Sequence, residues 1–112
     1  MRKLIVPVVV AALLGPAVAP AVAATKKVTV GDNYFVRDGG VPTVTVSKGT
    51  KVRWVWKGKS LHNVKVTKGP AKFGSPSKTS GSFSKKVAKA GTYTLVCTVH
   101  GARDQSMKLV VR

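Results

Sequence analysis

The sequence is poor in the residues that most enzymes use for catalysis or for holding hard metal ions. Its 112 residues include three acidic residues, all of them Asp, together with two His and one Cys. Glycoside hydrolysis uses a pair of carboxylic acids, and Mg²⁺ or Ca²⁺ sites use several carboxylate oxygens, so these chemistries have little material here. A single Cys also excludes a disulfide within the chain. A chain of this length corresponds to one domain.

Long apolar runs are confined to the N-terminus. Residues 1–24 begin with two basic side chains, continue with an apolar run over residues 4–14, and end in small residues. This is the three-part layout of a secretory signal peptide, with cleavage after Ala23 or Ala24. The alternative is an uncleaved membrane anchor, although prolines and a glycine interrupt the apolar stretch. We therefore predict a signal peptide at 1–24 and an exported domain at 25–112, located in the periplasm, at the cell envelope or outside the cell.

The exported part has the sequence pattern of β-strands. Short runs rich in Val, Thr and aromatic residues alternate between apolar and polar positions, and turn-forming residues bound each run. Val52 and Trp54 share one face of such a run, whereas Arg53 lies on the other. No segment has the pattern of a helix. The predicted strands cover residues 27–30, 34–36, 43–46, 51–56, 63–66, 82–87, 92–97 and 107–111. Seven or eight strands at this spacing predict an antiparallel sandwich or barrel.

The only Cys and both His residues fall at two places in the chain. His62 lies at a predicted junction between a strand and a loop, and two residues separate Cys97 from His100. One thiolate and two imidazoles, completed by a weak axial ligand, are the donors of a blue-copper electron-transfer site. Zinc is the rival metal, but structural zinc sites usually have two close pairs of ligands and this chain has one. Taken singly, each residue has an ordinary buried or surface role as its alternative.

The order and spacing of these segments resemble the cupredoxins, in particular the plastocyanin-like single-domain blue copper proteins. Residues 44–54 are similar to the family's central hairpin, and residues 61–64 to its first-ligand motif. Residues 91–100 are similar to the strand that leads into its ligand loop. The resemblance covers essentially the whole exported part. It implies an all-β, antiparallel Greek-key β-sandwich of seven to eight strands that binds one type 1 copper ion.

The resemblance implies that His62, Cys97 and His100 bind the copper, and it leaves the axial ligand open. The plastocyanin-like pattern Cys-x2-His-x4-Met has Gln105 at the position of the Met, and Met107 follows two residues later. Gln105 resembles the axial Gln of the stellacyanin branch, whereas Met107 requires a loop that is two residues longer. We favour Gln105 because seven residues follow it, and the final strand after the axial ligand has about seven residues in plastocyanin-like proteins. Met107 then has the inward parity of a core residue.

The resemblance also implies roles for residues around the ligands. Asn63 resembles the family's Asn that hydrogen-bonds near the thiolate and braces the two ligand loops. The C-terminal His of the family is exposed at a mostly apolar end, through which the electron enters and leaves. In this chain we expect redox partners to contact the residues that frame that end, which are Leu61, Val99, Gly101, Ala102 and Arg103.

Positive charge is in large excess and is spread along the chain. The formal net charge is +17, and it falls to +15 when the two basic residues of the signal segment are removed. Such a charge suggests nucleic-acid binding, but predicted export argues against that partner. We instead expect acidic redox proteins and an anionic membrane or cell-wall surface as partners of a monomer.

Together these features predict an exported small blue copper protein that is not an enzyme. It is expected to carry single electrons between redox partners through a type 1 Cu(I)/Cu(II) site. The alternative on the same fold is an exported protein of copper binding, delivery or resistance. Oxidases and nitrite reductases need a second copper centre with additional His residues, and this chain has only two His.

Overall fold

The computed structural model describes residues 24–37 and 41–112, which form eight β-strands in two sheets. The strands are β1 (Thr25–Gly31), β2 (Tyr34–Phe35), β3 (Thr43–Val46), β4 (Thr50–Trp56), β5 (Lys65–Lys68), β6 (Ser82–Val87), β7 (Gly91–Val96) and β8 (Ser106–Val111). No helix occurs in these two ranges, so none there is long and apolar enough to cross a membrane. The predicted all-β sandwich is confirmed. The predicted signal peptide lies outside the described residues, apart from Ala24.

Both sheets are mixed, with four strands each. Their strand orders are β2-β1-β4-β6 and β3-β8-β7-β5. The β1–β4 and β3–β8 pairs are parallel, and the remaining pairs are antiparallel. The structure thus differs from a purely antiparallel sandwich at two pairings. Between β1 and β4 the chain crosses to the second sheet through β3 and returns, and such a crossover places parallel strands side by side.

The turns that precede β4 and β7 connect the two sheets. Alternating runs flank residues 47–50 and also Ala90 and Gly91, a pattern that predicts a hairpin turn at each position. The strands flanking each turn nevertheless lie in different sheets. The turn at 47–50 makes backbone hydrogen bonds to both sheets, through Val87 and Arg112. Alternation and glycine mark the position of a turn, but they do not show whether the flanking strands pair or face each other across the core. The hairpin prediction is therefore wrong at both positions.

The core lies between the sheets and contains the inward residues of each strand. In β4, Val52, Trp54 and Trp56 are buried, whereas Lys51 and Arg53 are exposed. Trp54 packs against two further aromatic rings, with centroid distances of 6.0 and 5.8 Å. The burial of these apolar side chains is the main stabilising contribution to such a sandwich.

The strands deliver the predicted ligands to one end of the sandwich. Trp56, the last residue of β4, donates from Nε1 to the carbonyl of His62 at 3.3 Å. Cys97 directly follows β7, and its N–H donates to the carbonyl of Gln105, which directly precedes β8, at 3.0 Å. The candidate ligands therefore lie on loops that are fixed by core strands.

Candidate metal centre

The three predicted ligands come together in the fold. The ligand atoms of His62, Cys97 and His100 all lie within 4.8 Å of one another. Cys97 Sγ is 3.9 Å from Nδ1 of His62 and 3.5 Å from Nδ1 of His100. The first two side chains are fully buried, and His100 is partly exposed. Three donor atoms on two loops can thus reach a single ion, and one imidazole keeps an edge toward solvent.

Backbone hydrogen bonds hold His62 in place. Its N–H donates to the carbonyl of Lys78 at 3.0 Å, and its carbonyl accepts the N–H of Lys78 at 2.9 Å. The same carbonyl accepts the indole N–H of Trp56. His62 lies before β5, because that strand begins at Lys65, two residues later than the predicted strand. The imidazole is therefore presented by a loop residue with a fully bonded backbone.

The loop that carries Cys97 and His100 is closed by its own hydrogen bonds. The N–H of Gly101 donates to the carbonyl of Cys97 at 2.8 Å, and the N–H of Gln105 donates to the carbonyl of Gly101 at 3.0 Å. Gly101 has a φ of 87°, in the left-handed region that favours glycine. This turn brings His100 back beside the sulfur of Cys97.

Asn63 joins the two ligand loops. Its Nδ2 donates to Oγ1 of Thr98 at 2.9 Å, and its Oδ1 accepts the backbone N–H of Thr98 at 2.7 Å. Asn63 directly follows His62, and Thr98 directly follows Cys97. The pair therefore fixes the spacing of the loops within one residue of two candidate ligands.

The two candidates for the axial position have different surroundings. Gln105 is 1% exposed, and its Nε2 donates to the carbonyls of Gly31 and Tyr34 at 3.1 and 2.9 Å. Its Oε1 is also buried and has no hydrogen-bond partner. Met107 is fully buried in β8, paired with Leu95 of β7. A buried carbonyl oxygen with free lone pairs can bind a cation. Together with this oxygen, the thiolate and the two imidazoles form a donor set that suits copper.

Asp32, for which no sequence motif predicts a role, contacts His62. Its Oδ1 lies 2.9 Å from Nε2 of His62 and accepts the N–H groups of Lys59 and Ser60 at 3.0 and 2.9 Å. The hydrogen bond to His62 and those to the backbone of Ser60 and Lys59 hold the pKa of Asp32 well below its usual range. An ionised carboxylate can only accept, so Nε2 of His62 carries the hydrogen of this contact, and Nδ1, which faces Cys97, is the ring nitrogen left for a metal ion.

The sequence contains no local signal for this contact. Asp32 is followed by Asn33 between β1 and β2, which is the composition of an ordinary turn. Thirty positions separate Asp32 from His62. Only the docking of the β1–β2 turn against the loop after β4 brings the two side chains together.

We predict that Asp32→Asn changes the protonation pattern of His62 and weakens Cu(II) binding. The amide is uncharged and has one acceptor oxygen fewer, so it holds the Nε2–H tautomer less firmly. Loss of such a partner typically reduces metal affinity by about 10-fold to 100-fold. Nitrogen-15 chemical shifts of the metal-free protein report the tautomer, and chelator competition reports the affinity.

Asp104→Asn is the matched control for this prediction. Asp104 lies in the loop between His100 and Gln105, is exposed, and makes no side-chain hydrogen bond within the described ranges. The Asp104→Asn substitution removes the same charge from the neighbourhood of the metal centre as Asp32→Asn. Equal losses of affinity in the two variants, or an unchanged His62 tautomer in Asp32→Asn, would contradict the positioning role.

Comparisons with known proteins agree with this donor set. Residues 24–112 match the family described as copper binding proteins, plastocyanin/azurin family. A methionine-to-glutamine mutant of amicyanin, Cu(I), is 26% identical with a TM-score of 0.66, over 80% of this chain and 83% of that one. A methionine-to-alanine mutant of amicyanin, also in its Cu(I) form, is 27% identical with a TM-score of 0.65, over 83% and 86%. No curated protein sequence matches the chain.

The family match spans most of the chain and includes every residue of the metal centre. The amicyanin structures share the fold over four-fifths of its length. These findings confirm the resemblance to the cupredoxins. The chain belongs to the plastocyanin/azurin family of copper-binding proteins, and its cofactor is one type 1 copper ion.

Proposed function

We propose that the protein carries single electrons between redox partners outside the cytoplasm. The observation that carries the proposal is the convergence of the Cys97 sulfur with Nδ1 of His62 and of His100 at a partly exposed end of the sandwich. Bound copper supplies the Cu(I)/Cu(II) couple. Cu(I) and oxidised structures of amicyanin on the same fold support a redox role. The layout of residues 1–24 supports export.

The chain's own residues provide a donor cage that changes little between oxidation states. His62 and Cys97 are fully buried, their loops are closed by backbone hydrogen bonds, and Asn63 joins the two loops. Side chains locked by packing and by hydrogen bonds cannot readily rearrange when the charge of the site changes. A small rearrangement favours fast electron exchange over chemical transformation of a substrate.

Loading the protein with Cu(II) tests this function. We expect an intense blue absorption from thiolate-to-copper charge transfer, which is lost in Cys97→Ser because an alcohol replaces the thiolate. Circular dichroism of the variant checks that the fold is retained. An absence of the band in the native protein, or its persistence in Cys97→Ser, would contradict the proposal. A carrier also keeps its copper through repeated reduction and reoxidation, whereas ready loss of Cu(I) to a competing chelator favours copper delivery.

We infer that Gln105 is the axial ligand. Its nitrogen is occupied by two backbone carbonyls, which leaves Oε1 as a buried acceptor without a protein partner. Leaving such a group unsatisfied costs about 1–3 kcal/mol, a penalty that metal contact removes. Met107 is packed within β8, where inward residues form the core.

We expect Gln105→Met to raise the reduction potential of the centre. A weak thioether in place of an amide oxygen stabilises Cu(II) less. A tenfold change in the ratio of the Cu(II) affinity to the Cu(I) affinity corresponds to about 59 mV in the reduction potential. Voltammetry and electron paramagnetic resonance measure the effect. Met107→Leu, a volume-conserving core change, is expected to leave both readouts unchanged while costing less than about 1.5 kcal/mol of stability. A larger potential shift in Met107→Leu than in Gln105→Met would assign the axial role to Met107.

We also infer that redox partners dock at the end that carries His100. Leu61 and Val99 are 45% and 46% exposed and are chain neighbours of His62 and His100. Gly101, Ala102 and Arg103 continue the same loop, and the last two are exposed. Exposed apolar side chains around a partly exposed ligand permit close and short-lived contacts with a partner.

Val41, which has no sequence signal for this role, is a further candidate for the docking end. It is 57% exposed, and the next residue, Pro42, accepts the N–H of Lys108 near the start of β8. Among the described residues, the large apolar side chains that are exposed are Val41, Leu61 and Val99. Leu61 and Val99 lie beside candidate ligands, and Val41 precedes β3 at the end of that strand nearer to Gln105, because β3 and β8 run parallel.

Electron self-exchange between oxidised and reduced copies tests this docking end without a known partner. We expect Val99→Lys to slow self-exchange by at least about tenfold, because like charges then face each other between the two copies. Line broadening in nuclear magnetic resonance spectra measures the rate. Ala88→Lys, in the turn between β6 and β7 at the opposite end, is the matched control. An equal decrease in both variants would assign the effect to net charge and contradict the docking end.

A further inference from the structure

The outer face of the first sheet carries a cluster of cations at adjacent register positions. Lys27 of β1 lies opposite Arg53 of β4, and Lys51 of β4 lies opposite Lys86 of β6. Lys51 and Arg53 are two positions apart on the same face of β4. All four side chains are exposed. We call these four residues the basic face.

The basic face has no counter-charge on its own surface. Neighbouring strands are about 4.8 Å apart and alternate residues of a strand about 6.7 Å apart, so the four cations form a closely spaced grid. Like charges directly opposite each other on a sheet are destabilising. The other outward positions of β1, β4 and β6 are neutral, namely Thr25, Thr29, Val55, Ser82 and Ser84. Within the described residues, the one ion pair is between Asp32 and His62, away from this face.

A high content of Lys and Arg does not by itself require this arrangement. On the outer face of the second sheet, Lys108 of β8 lies opposite Thr43 of β3 and Thr94 of β7. In the next row, Val110 lies opposite Thr45 and Thr92. The second sheet therefore separates its cations with neutral residues at positions where the first sheet places them side by side.

The basic face lies away from the metal centre. Lys51 and Lys86 are next to the pairing of Thr50 with Val87, whereas the opposite ends of β1 and β4 contact the ligand loops. The N–H of Lys51 donates to the carbonyl of Ala24 at 2.9 Å, so Ala24 lies at the same end of the sheet as Lys51 and Lys86. In the sequence, the apolar run at 4–14 ends ten residues before Ala24.

We propose that the basic face binds the surface of a membrane that contains anionic phospholipids. A bilayer presents many mobile phosphate groups in one plane, which can match a flat grid of cations, and each Lys or Arg near the surface strengthens the attraction. An acidic protein would instead need carboxylates fixed at the same spacing. Ala24 lies beside Lys51, so the N-terminal segment, where it is retained as an anchor, joins the domain next to the basic face. Binding through this face leaves the His100 end free for redox partners.

Vesicle binding of charge-matched variants tests the proposal. One variant replaces Lys27, Lys51, Arg53 and Lys86 by Gln. Its control replaces four cations of the second sheet and of the loop after β5 by Gln, namely Lys65, Lys68, Lys72 and Lys108. All proteins are copper-loaded, share one N-terminus and are compared on vesicles of phosphatidylglycerol with phosphatidylcholine and of phosphatidylcholine alone. Circular dichroism and thermal unfolding check that both variants fold.

We expect the native protein and the control to bind the anionic vesicles, with affinity that falls as salt is added. The basic-face variant should bind them at least about tenfold more weakly. Equal losses in both variants would show that only net charge matters and would overturn the proposal. So would an absence of binding to anionic vesicles, or equal binding to both kinds of vesicle. Tighter binding to soluble polyphosphate than to vesicles would indicate an anionic polymer as the ligand of the basic face and would also overturn the proposal.

Discussion

The metal end of the sandwich depends on the two hydrogen bonds that the buried amide of Gln105 donates to Gly31 and Tyr34. These bonds connect the end of the Cys97 loop to the β1–β2 turn, and that turn carries Asp32. Asp32 in turn holds the imidazole of His62. One side chain thus couples the loop that carries the sulfur to the contact that orients the opposite imidazole. The amide of Gln105 and the imidazole of His62 are both buried, so breaking either contact leaves a polar group without a partner, which makes the network stiff.

The same network explains why metal binding and folding reinforce each other. The hydrogen bonds that Gln105 donates use its nitrogen and leave Oε1 buried and unpaired, while the sulfur of Cys97 faces Nδ1 of both imidazoles. The folded protein therefore already contains the arrangement that the cation requires. A ligand that binds the folded state and not the unfolded one stabilises the fold, so copper is expected to strengthen the closure that positions its own ligands.

Local sequence patterns predicted the features that depend on neighbouring residues, such as the buried face of a strand. They did not predict contacts between residues that are far apart in the chain. Alternation in β4 indicated which face of Val52, Trp54 and Trp56 is buried, and the structure confirms it. The spacing of Cys97 and His100 indicated a ligand loop in the same way. Asp32 reaches His62 only after the β1–β2 turn docks, and Lys27 faces Arg53 only because β1 and β4 pair in parallel. Both contacts depend on chain crossovers that no local pattern specifies.

The surface charge has different consequences at the two ends of the molecule. A formal net charge of +17 gives the whole protein a positive field, and the field is strongest where cations are adjacent, as they are on the basic face. An acidic redox partner steered to that face would be held away from His100 and could not exchange an electron quickly. Coverage of the basic face by an anionic surface would neutralise its field locally. The remaining attraction would then favour the apolar end with Arg103, where we propose that redox partners dock.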